Sequence, residues 1–262
     1  MENRKKISVA IITKNEEKRL PECLKSVAFA DEIVIVDSGS TDKTLEIAKE
    51  FGCRVFVEEW KGFGMQKNSA IEKCTNEWVI ILDADERIPS ETKYSILAVI
   101  QNPTASAYSF KMKHFINKRW IKYGGNWPDW HVRLVNKNKG SFVGTIHERW
   151  VTEGNIEKID AYIEHYGFED YFDMIKTMNE YSTLSAQELY ISGRRASIFT
   201  PIVHSIAMFI KVFILKKGFL DGFDGLVLAL LKAGGSFFKY AKLLELQRKM
   251  KNASCLNVSS YL

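Results

Sequence analysis

The stretch Trp78-Val79-Ile80-Ile81-Leu82-Asp83-Ala84-Asp85-Glu86 decides how this chain is read. The run from Trp78 to Leu82 is wholly apolar, the mark of a strand covered on both faces. It stops on two carboxylates one residue apart. In an open α/β sheet such a strand delivers its carboxyl end to the ligand crevice. Paired carboxylates at that edge suit a hard divalent cation that holds phosphate oxygens. Asp-x-Asp also closes many ordinary strands, so the surrounding sequence has to supply the context.

Upstream, the pattern alternates between two periods. Strands are predicted over 7–13, 32–37 and 54–58, and helices over 20–28, 43–51 and 64–73, with 78–83 as the fourth strand and 89–100 as a further helix. Ser40 or Thr41 is placed to cap the second helix, and Gly52 to end it. Strand–helix repetition with short loops predicts a mostly parallel, Rossmann-like sheet with right-handed crossovers, an α/β fold. From Ala107 the helices drop out, and strands are predicted over 107–115, 132–135 and 159–163. Between them lies the loop Trp120-Ile121-Lys122-Tyr123-Gly124-Gly125-Asn126-Trp127-Pro128-Asp129-Trp130-His131. So many aromatic rings form either a local core or a platform on which a sugar stacks.

Downstream, 168–191 is predicted as an amphipathic helix. Segments 198–215 and 226–246 are strongly apolar, yet Pro201, His204 and Lys211 interrupt the first, and Lys232, Lys239 and Lys242 accompany the second. A mid-helix lysine is costly inside a bilayer, so an in-plane helix is expected over a membrane span. Residues 252–262 read as a polar, disordered tail. The expected organisation is a catalytic domain over 1–165, a helical, basic, membrane-associating region over 166–251, and that tail.

Charge sharpens the division. The chain of 262 residues carries a net +5, but 194–262 has 11 Lys/Arg against 3 Asp/Glu, while 1–193 has 26 against 29. The basic part is also the most apolar, which points to an anionic membrane surface; no nucleic-acid motif accompanies it. An oligomer interface is the other reading of an exposed apolar helix pair. The composition, 46% hydrophobic and 26% charged, is that of a folded globular chain. Cys23, Cys53, Cys74 and Cys255 form no Cys-x-x-Cys pair, which argues against a zinc site and a disulfide framework and fits a reducing compartment. The apolar run 7–12 is too short for the core of a signal peptide.

No Gly-x-Gly-x-x-Gly follows the first strand, and no Gly-x-x-x-x-Gly-Lys-Ser/Thr occurs, so dinucleotide and P-loop chemistries lack their phosphate loops. Asp37 ends the second strand where an acid can meet a base or ribose, or simply open the turn Ser38-Gly39-Ser40-Thr41-Asp42.

Three segments together resemble a known family. Ser8-Val9-Ala10-Ile11-Ile12-Thr13-Lys14-Asn15-Glu16, Ile35-Val36-Asp37-Ser38-Gly39-Ser40-Thr41-Asp42 and Leu82-Asp83-Ala84-Asp85-Glu86, in that order and spacing, are similar to the family 2 glycosyltransferases of the GT-A fold. The likeness covers roughly residues 6–150. Gly62 to Asn68 matches the family's nucleotide-proximal helix start. Trp127-Pro128-Asp129-Trp130-His131-Val132-Arg133-Leu134, Ile146-His147-Glu148 and Gly218-Phe219-Leu220-Asp221-Gly222 resemble bacterial lipopolysaccharide-core β-glucosyltransferases.

The resemblance implies that Thr13, Asn15 and Glu16 line a uracil and ribose pocket. Asp37 would bond the uracil, and Lys67 and Asn68 would lie near base or phosphates. Asp83 would contact ribose or a metal-bound water, and Asp85 would bind Mg2+ or Mn2+, with His147 as a further metal or phosphate ligand. Asp129 is the implied base, with Glu148 in reserve; this chain has Pro128-Asp129 where the family's base motif ends in Glu-Asp. Apolar Trp127, Pro128 and Trp130 are expected to raise the Asp129 pKa. Arg133 would pair with a phosphate or with Asp129, and Arg149 is a further phosphate candidate; His131, His165 and His204 have no role assigned. The implied activity is inverting transfer of a hexose, glucose by this likeness, from a UDP-sugar to a glycolipid such as lipopolysaccharide core, at the cytoplasmic face of a bacterial inner membrane. Transfer to polyprenyl phosphate and an inactive membrane-bound scaffold are the alternatives.

Overall fold

A computed structural model describes residues 4–144 and 148–259, with side chains through Met250. The elements, in chain order, are β1 (Ile7–Thr13), α1 (Leu20–Ser26), β2 (Glu32–Asp37), α2 (Thr44–Glu50), β3 (Arg54–Val57), α3 (Phe63–Lys73), β4 (Trp78–Asp83), β5 (Glu86–Arg87), α4 (Ser90–Gln101), β6 (Ala107–Ile116), β7 (Arg119–Trp120), β8 (Trp130–Asn136), β9 (Gly140–Val143), β10 (Arg149–Thr152), β11 (Ile156–Phe168), α5 (Tyr171–Ile191), α6 (Thr200–Phe209) and α7 (Gly222–Ser259).

The main sheet runs β3-β2-β1-β4-β8-β6-β11-β5. Its first four strands are parallel; β8 then pairs antiparallel with β4 and with β6, and β5 antiparallel with β11. β9 and β10 form a separate antiparallel hairpin. This is the GT-A arrangement, a Rossmann-like parallel half extended by antiparallel strands. The apolar runs explain it. In β1 every residue is buried. Val9 and Ile11 feed the core on one face, with Ile35, Ile80 and Leu82, while Ala10 and Ile12 feed the core on the other, with Val34, Val36 and Ile81. A strand pleated with period two serves both faces only if its successive central positions, here 9–12, are all apolar.

Two compact units emerge, Met1–His114 with Pro128–Gly167, and Phe115–Trp127 with Phe168–Leu262. Most of the aromatic loop thus belongs with the C-terminal helices, whereas the sequence grouped it with the sheet. In that second unit β7 pairs with the end of β6, Trp120 meets Trp127 edge-to-face at 5.4 Å, and Ile121 is buried with Ile116 and Met174. The two tryptophan rings are half-buried, and the local core there is aliphatic and sulfur-containing, Ile116, Ile121 and Met174.

Three local expectations change. α2 begins at Thr44, whose backbone N–H donates to Asp42 Oδ1 at 3.0 Å, so Asp42 rather than Ser40 or Thr41 orders its start. β11 runs on to Phe168, and α5 begins after Asp170, whose carboxylate accepts from Asp173 N at 2.9 Å. α7 continues through Ser259, so 252–259 are helical where a disordered tail was expected, since no glycine or proline interrupts them. Segment 198–215 is α6 followed by a π-helical turn, Ile210–Leu215. Among the described residues, no helix is long and apolar enough to cross a membrane.

Candidate active site

The parallel strands bring three of the sequence-selected residues to one sheet edge. Thr13 pairs with Asp37 across β1 and β2, and Ile12 pairs with Asp83 across β1 and β4. β2 and β4 flank β1 on opposite sides, which makes this edge the topological switch point where α/β sheets open a crevice. Asp83 and Asp85 keep 29% and 18% of their side-chain surface open, so the Asp-x-Asp pair reaches the exterior at that edge.

Two polar residues knit the rim. Asp37 is fully buried, and its Oδ1 accepts from the backbone N–H groups of Gly39 and Ser40 at 2.9 and 2.8 Å while Oδ2 accepts from the Ser40 hydroxyl. Asn15 sits at φ +56°, a left-handed conformation that asparagine tolerates. Its Oδ1 accepts from Thr41 N at 2.8 Å, and its own N–H donates to Ser40 Oγ at 2.7 Å. Both residues order the turn from inside, and both Asp37 oxygens are engaged by it.

Behind the rim lies an alternating line of buried charge. Lys67, 2% exposed on α3, reaches Asp83 at 3.2 Å and Glu148 Oε1 at 2.8 Å. Arg133 on β8 donates from Nε and Nη2 to both oxygens of Glu86, at 2.9 and 2.5 Å, and from Nη2 to Asp83 at 3.2 Å. Burial opposes the Asp83 charge, but Lys67 and Arg133 outweigh it and hold the carboxyl below its ordinary pKa. Burial likewise opposes the charge on Arg133, and Glu86 and Asp83 more than restore it. Glu148 is engaged with Lys67 and Arg133 with Glu86, so both act here as pillars. Asn68 is engaged too: its amide donates to Phe142 O and accepts from Phe142 N, at 2.9 and 2.8 Å, fastening β9 to α3. Gly64 lets that strand approach, because a Cβ there would lie 2.5 Å from Gly144 O.

Asp85 differs from its neighbours. Its Oδ2 faces His165 Nε2 at 3.3 Å and Arg19 Nη1 at 3.8 Å. Burial works against its charge, yet His165 and Arg19 hold its pKa at about 2, while Asp85, Glu86 and Asp83 lift buried His165 to about 9. Its other oxygen, Oδ1, is buried with no hydrogen-bond partner, and so is the Thr13 hydroxyl. Buried polar atoms left unpaired are costly and need an explanation. Asp85 Oδ1 is free to hold a cation, and the Thr13 hydroxyl is free to meet a polar group of a ligand. Glu16, which pairs with Arg19 at 2.8 Å, is raised to about 7, chiefly by burial and in part by Asp85. Among the described residues, no three His, Cys, Asp or Glu side chains converge as a complete metal-ligand set. His147 lies outside the described residues.

Asp129 stands at the start of β8, 42% exposed, and its Oδ2 faces His114 Nε2 at 3.1 Å and His131 Nε2 at 3.0 Å. Those two rings hold its pKa well below the ordinary carboxylate range, the reverse of the rise expected from the neighbouring tryptophans. Histidine hydrogen bonds favour the anion more than partial burial opposes it. His114 Nδ1 in turn meets His165 Nδ1 at 2.9 Å, so one continuous line runs Asp129, His114, His165, Asp85. Ionised carboxylates only accept, so each terminal Nε2 carries a hydrogen, and one of the two Nδ1 atoms must carry another. The pair therefore holds one positive charge. It resides on His165, which its acidic neighbours favour, while burial lowers the pKa of His114. His114 and His165 are 51 residues apart and share no motif, which is why the sequence showed no relation between them.

The family model for Glycosyl transferase family 2 matches residues 8–159. The chain belongs to glycosyltransferase family 2. An uncharacterized glycosyltransferase of Rickettsia typhi is 34% identical over 95% of this chain and 90% of its own length. The lipopolysaccharide core biosynthesis glycosyltransferase LpsC of Rhizobium meliloti is 29% identical over 90% of this chain and 93% of its own. The solved structure of S. aureus TarS 1–349 in complex with UDP-GlcNAc superposes with a TM-score of 0.47, at 20% identity over 93% of this chain and 92% of that one. This glycosyltransferase thus places the family's Asp-x-Asp at the switch point of its sheet.

Proposed function

We propose that this glycosyltransferase moves a hexose, glucose on the sequence resemblance, from a UDP-sugar to a glycolipid of the lipopolysaccharide-core type at the cytoplasmic face of a bacterial membrane, with inversion at the anomeric carbon. The observation that carries the donor half is the unpaired, buried Asp85 Oδ1 beside the unpaired Thr13 hydroxyl at the sheet's switch point. Asp85 would hold Mg2+ or Mn2+, with Thr13, Glu16 and the 37–41 turn against the nucleoside. The likeness to LpsC supports the acceptor class.

The bound cation supplies Lewis-acid neutralisation of the leaving diphosphate. The chain's own residues do the rest. Asp129, kept as a carboxylate by His114 and His131, accepts the proton of the acceptor hydroxyl. The hydroxyl oxygen forms its bond to the anomeric carbon as the carbon–oxygen bond to the diphosphate breaks, and the electron pair leaves with UDP. Lys67 and Arg133 keep Asp83 ionised.

Two variants test this reading with UDP-glucose and a lipopolysaccharide-core acceptor. Asp129→Asn is expected to keep the Mn2+-dependent thermal shift with UDP and to lose transfer by about a hundredfold or more. Asp85→Ala is expected to lose the Mn2+-dependent part of that shift. Wild-type turnover in Asp129→Asn would remove it as the base, and an unaltered Mn2+ response in Asp85→Ala would remove it as the metal ligand.

A further inference from the structure

The segment Gly218-Phe219-Leu220-Asp221-Gly222-Phe223-Asp224-Gly225 reverses the usual polarity of a surface turn. Its acids face inward. Asp221 accepts from the backbone N–H groups of Lys122 and Tyr123, at 3.3 and 2.7 Å. Asp224 is buried, accepts from the Tyr171 hydroxyl at 2.6 Å and pairs with Arg119 at 2.6 Å. Two of its three glycines stand where a side chain has no room: a Cβ on Gly218 would lie 2.7 Å from Val212 O, and one on Gly225 would lie 1.9 Å from Gly218 O. Its large apolar side chains face outward, with Phe219 50%, Leu220 52% and Phe223 67% exposed. Ile214 and Leu215, from the preceding turn, are exposed beside them in sequence.

This knuckle is held by its inward-facing acids and close backbone contacts, so it cannot fold its apolar side chains inward without leaving Asp221 and Asp224 unpaired. Exposed apolar clusters on a fixed support mark a surface that is covered by something else. The charge says what covers it. From Leu189 to Leu220 the chain has Arg194, Arg195, Lys211, Lys216 and Lys217 and no Asp or Glu. A second copy meeting this surface across a two-fold axis would set like charges against each other. An anionic bilayer offers both an apolar phase and the opposite charge. No described helix is long and apolar enough to cross such a bilayer, so the segment would lie within its boundary.

We propose that the knuckle around Phe219, Leu220 and Phe223 inserts into the headgroup–acyl boundary of an anionic membrane, with Lys211 and Lys217 among the cations that meet the headgroups. This binding is separate from sugar transfer and is read without any donor, so either reading can fail alone.

The test is co-sedimentation of the full chain with phosphatidylglycerol–phosphatidylcholine vesicles, with phosphatidylcholine vesicles for comparison. Wild type is expected to partition onto the anionic vesicles and to be released by salt. The combined variant Phe219→Ser, Leu220→Ser, Phe223→Ser is expected to lose partitioning roughly tenfold or more, and Lys211→Glu with Lys217→Glu to lose the preference for phosphatidylglycerol. An unaltered circular-dichroism spectrum and melting temperature confirm that these variants fold. The proposal is overturned if the triple variant sediments like wild type. It is equally overturned if wild type ignores vesicles and instead self-associates in analytical ultracentrifugation through these side chains. Wild-type binding insensitive to both salt and lipid charge would also overturn it, and that measurement needs no variant.

Discussion

At the residue scale, His114 has the largest consequence for reactivity among the residues that no motif announced. It touches Asp129 on one side and His165 on the other, 3.1 and 2.9 Å away. A single imidazole therefore fixes the orientation and the ionisation of the proposed base. Replacing it leaves Asp129 to His131 alone. His114→Ala is expected to lower kcat by about ten- to a hundredfold, because a misaligned base is costly, while KM for the UDP-sugar stays near wild type. The Asp129 pKa would rise toward the ordinary range, so the acid limb of the pH–rate profile would move upward. His114→Gln, which retains a donor, should recover part of the rate. A rate loss shared equally by kcat and KM, with no movement of the acid limb, would reduce His114 to a packing residue.

At the element scale, the contact between α3 and the strand β9 decides whether Lys67 meets its partners. Gly64 lies one turn before Lys67 on α3, and Asn68 immediately after it pairs with the backbone of Phe142. These two contacts bring the segment carrying Glu148 against Lys67, across 81 residues of sequence. Gly64→Ala would push a methyl group onto the Gly144 carbonyl, with the Glu148 Cβ already 3.4 Å away. Overpacking of this kind typically destabilises by about 1–3 kcal/mol. The expected outcome is a lower urea midpoint with an unchanged m-value, and weaker UDP binding as Lys67 is displaced. An unchanged midpoint would mean that the hairpin shifts freely and does not set the site.

At the scale of the whole molecule, the site's charges make stability depend on pH with a definite sign. His165 binds its proton more tightly when folded, at about 9 against an ordinary 6.5, so its contribution is complete below about 6.5 and lost as pH rises through 9. Glu16 is raised to about 7 from 4.5, so the folded chain also prefers its protonated form, and its contribution is complete below about 4.5 and lost as pH rises through 7. Asp85, held at about 2, works on the acid side: its contribution is present above about 4 and lost as pH falls toward 2. Calorimetry in chelator is therefore expected to show Tm highest near pH 4–5 and falling steadily to pH 9. Glu16→Gln should flatten the part of that fall below pH 8. A Tm that climbs between pH 6.5 and 9 would contradict the charge assignment.

Much of this architecture is local in origin, and so it is written in the chain. Apolar runs such as 78–82, the acids that end them and the turn 37–42 need only nearest neighbours in sequence to be read, and they carried the fold class, the family and the Asp-x-Asp edge. The net basic, acid-free stretch before Asp221 was equally visible. What the side chains do at the site was decided by tertiary contact. Lys67 and Asn68, expected near phosphate or base, are held by Glu148 and the Phe142 backbone because α3 packs on a hairpin far along the chain. Asp37 turned inward to its own loop, and Asp129 met histidines instead of a dry aromatic pocket. The inversion of the 218–225 knuckle is of the same kind, since Asp221 and Asp224 point inward only when Tyr123 and Tyr171 are there to receive them. Periodicity fixes which residues form a strand or helix, but Coulombic and hydrogen-bonding partners are chosen by folding across long loops, and no spacing in the sequence encodes that choice.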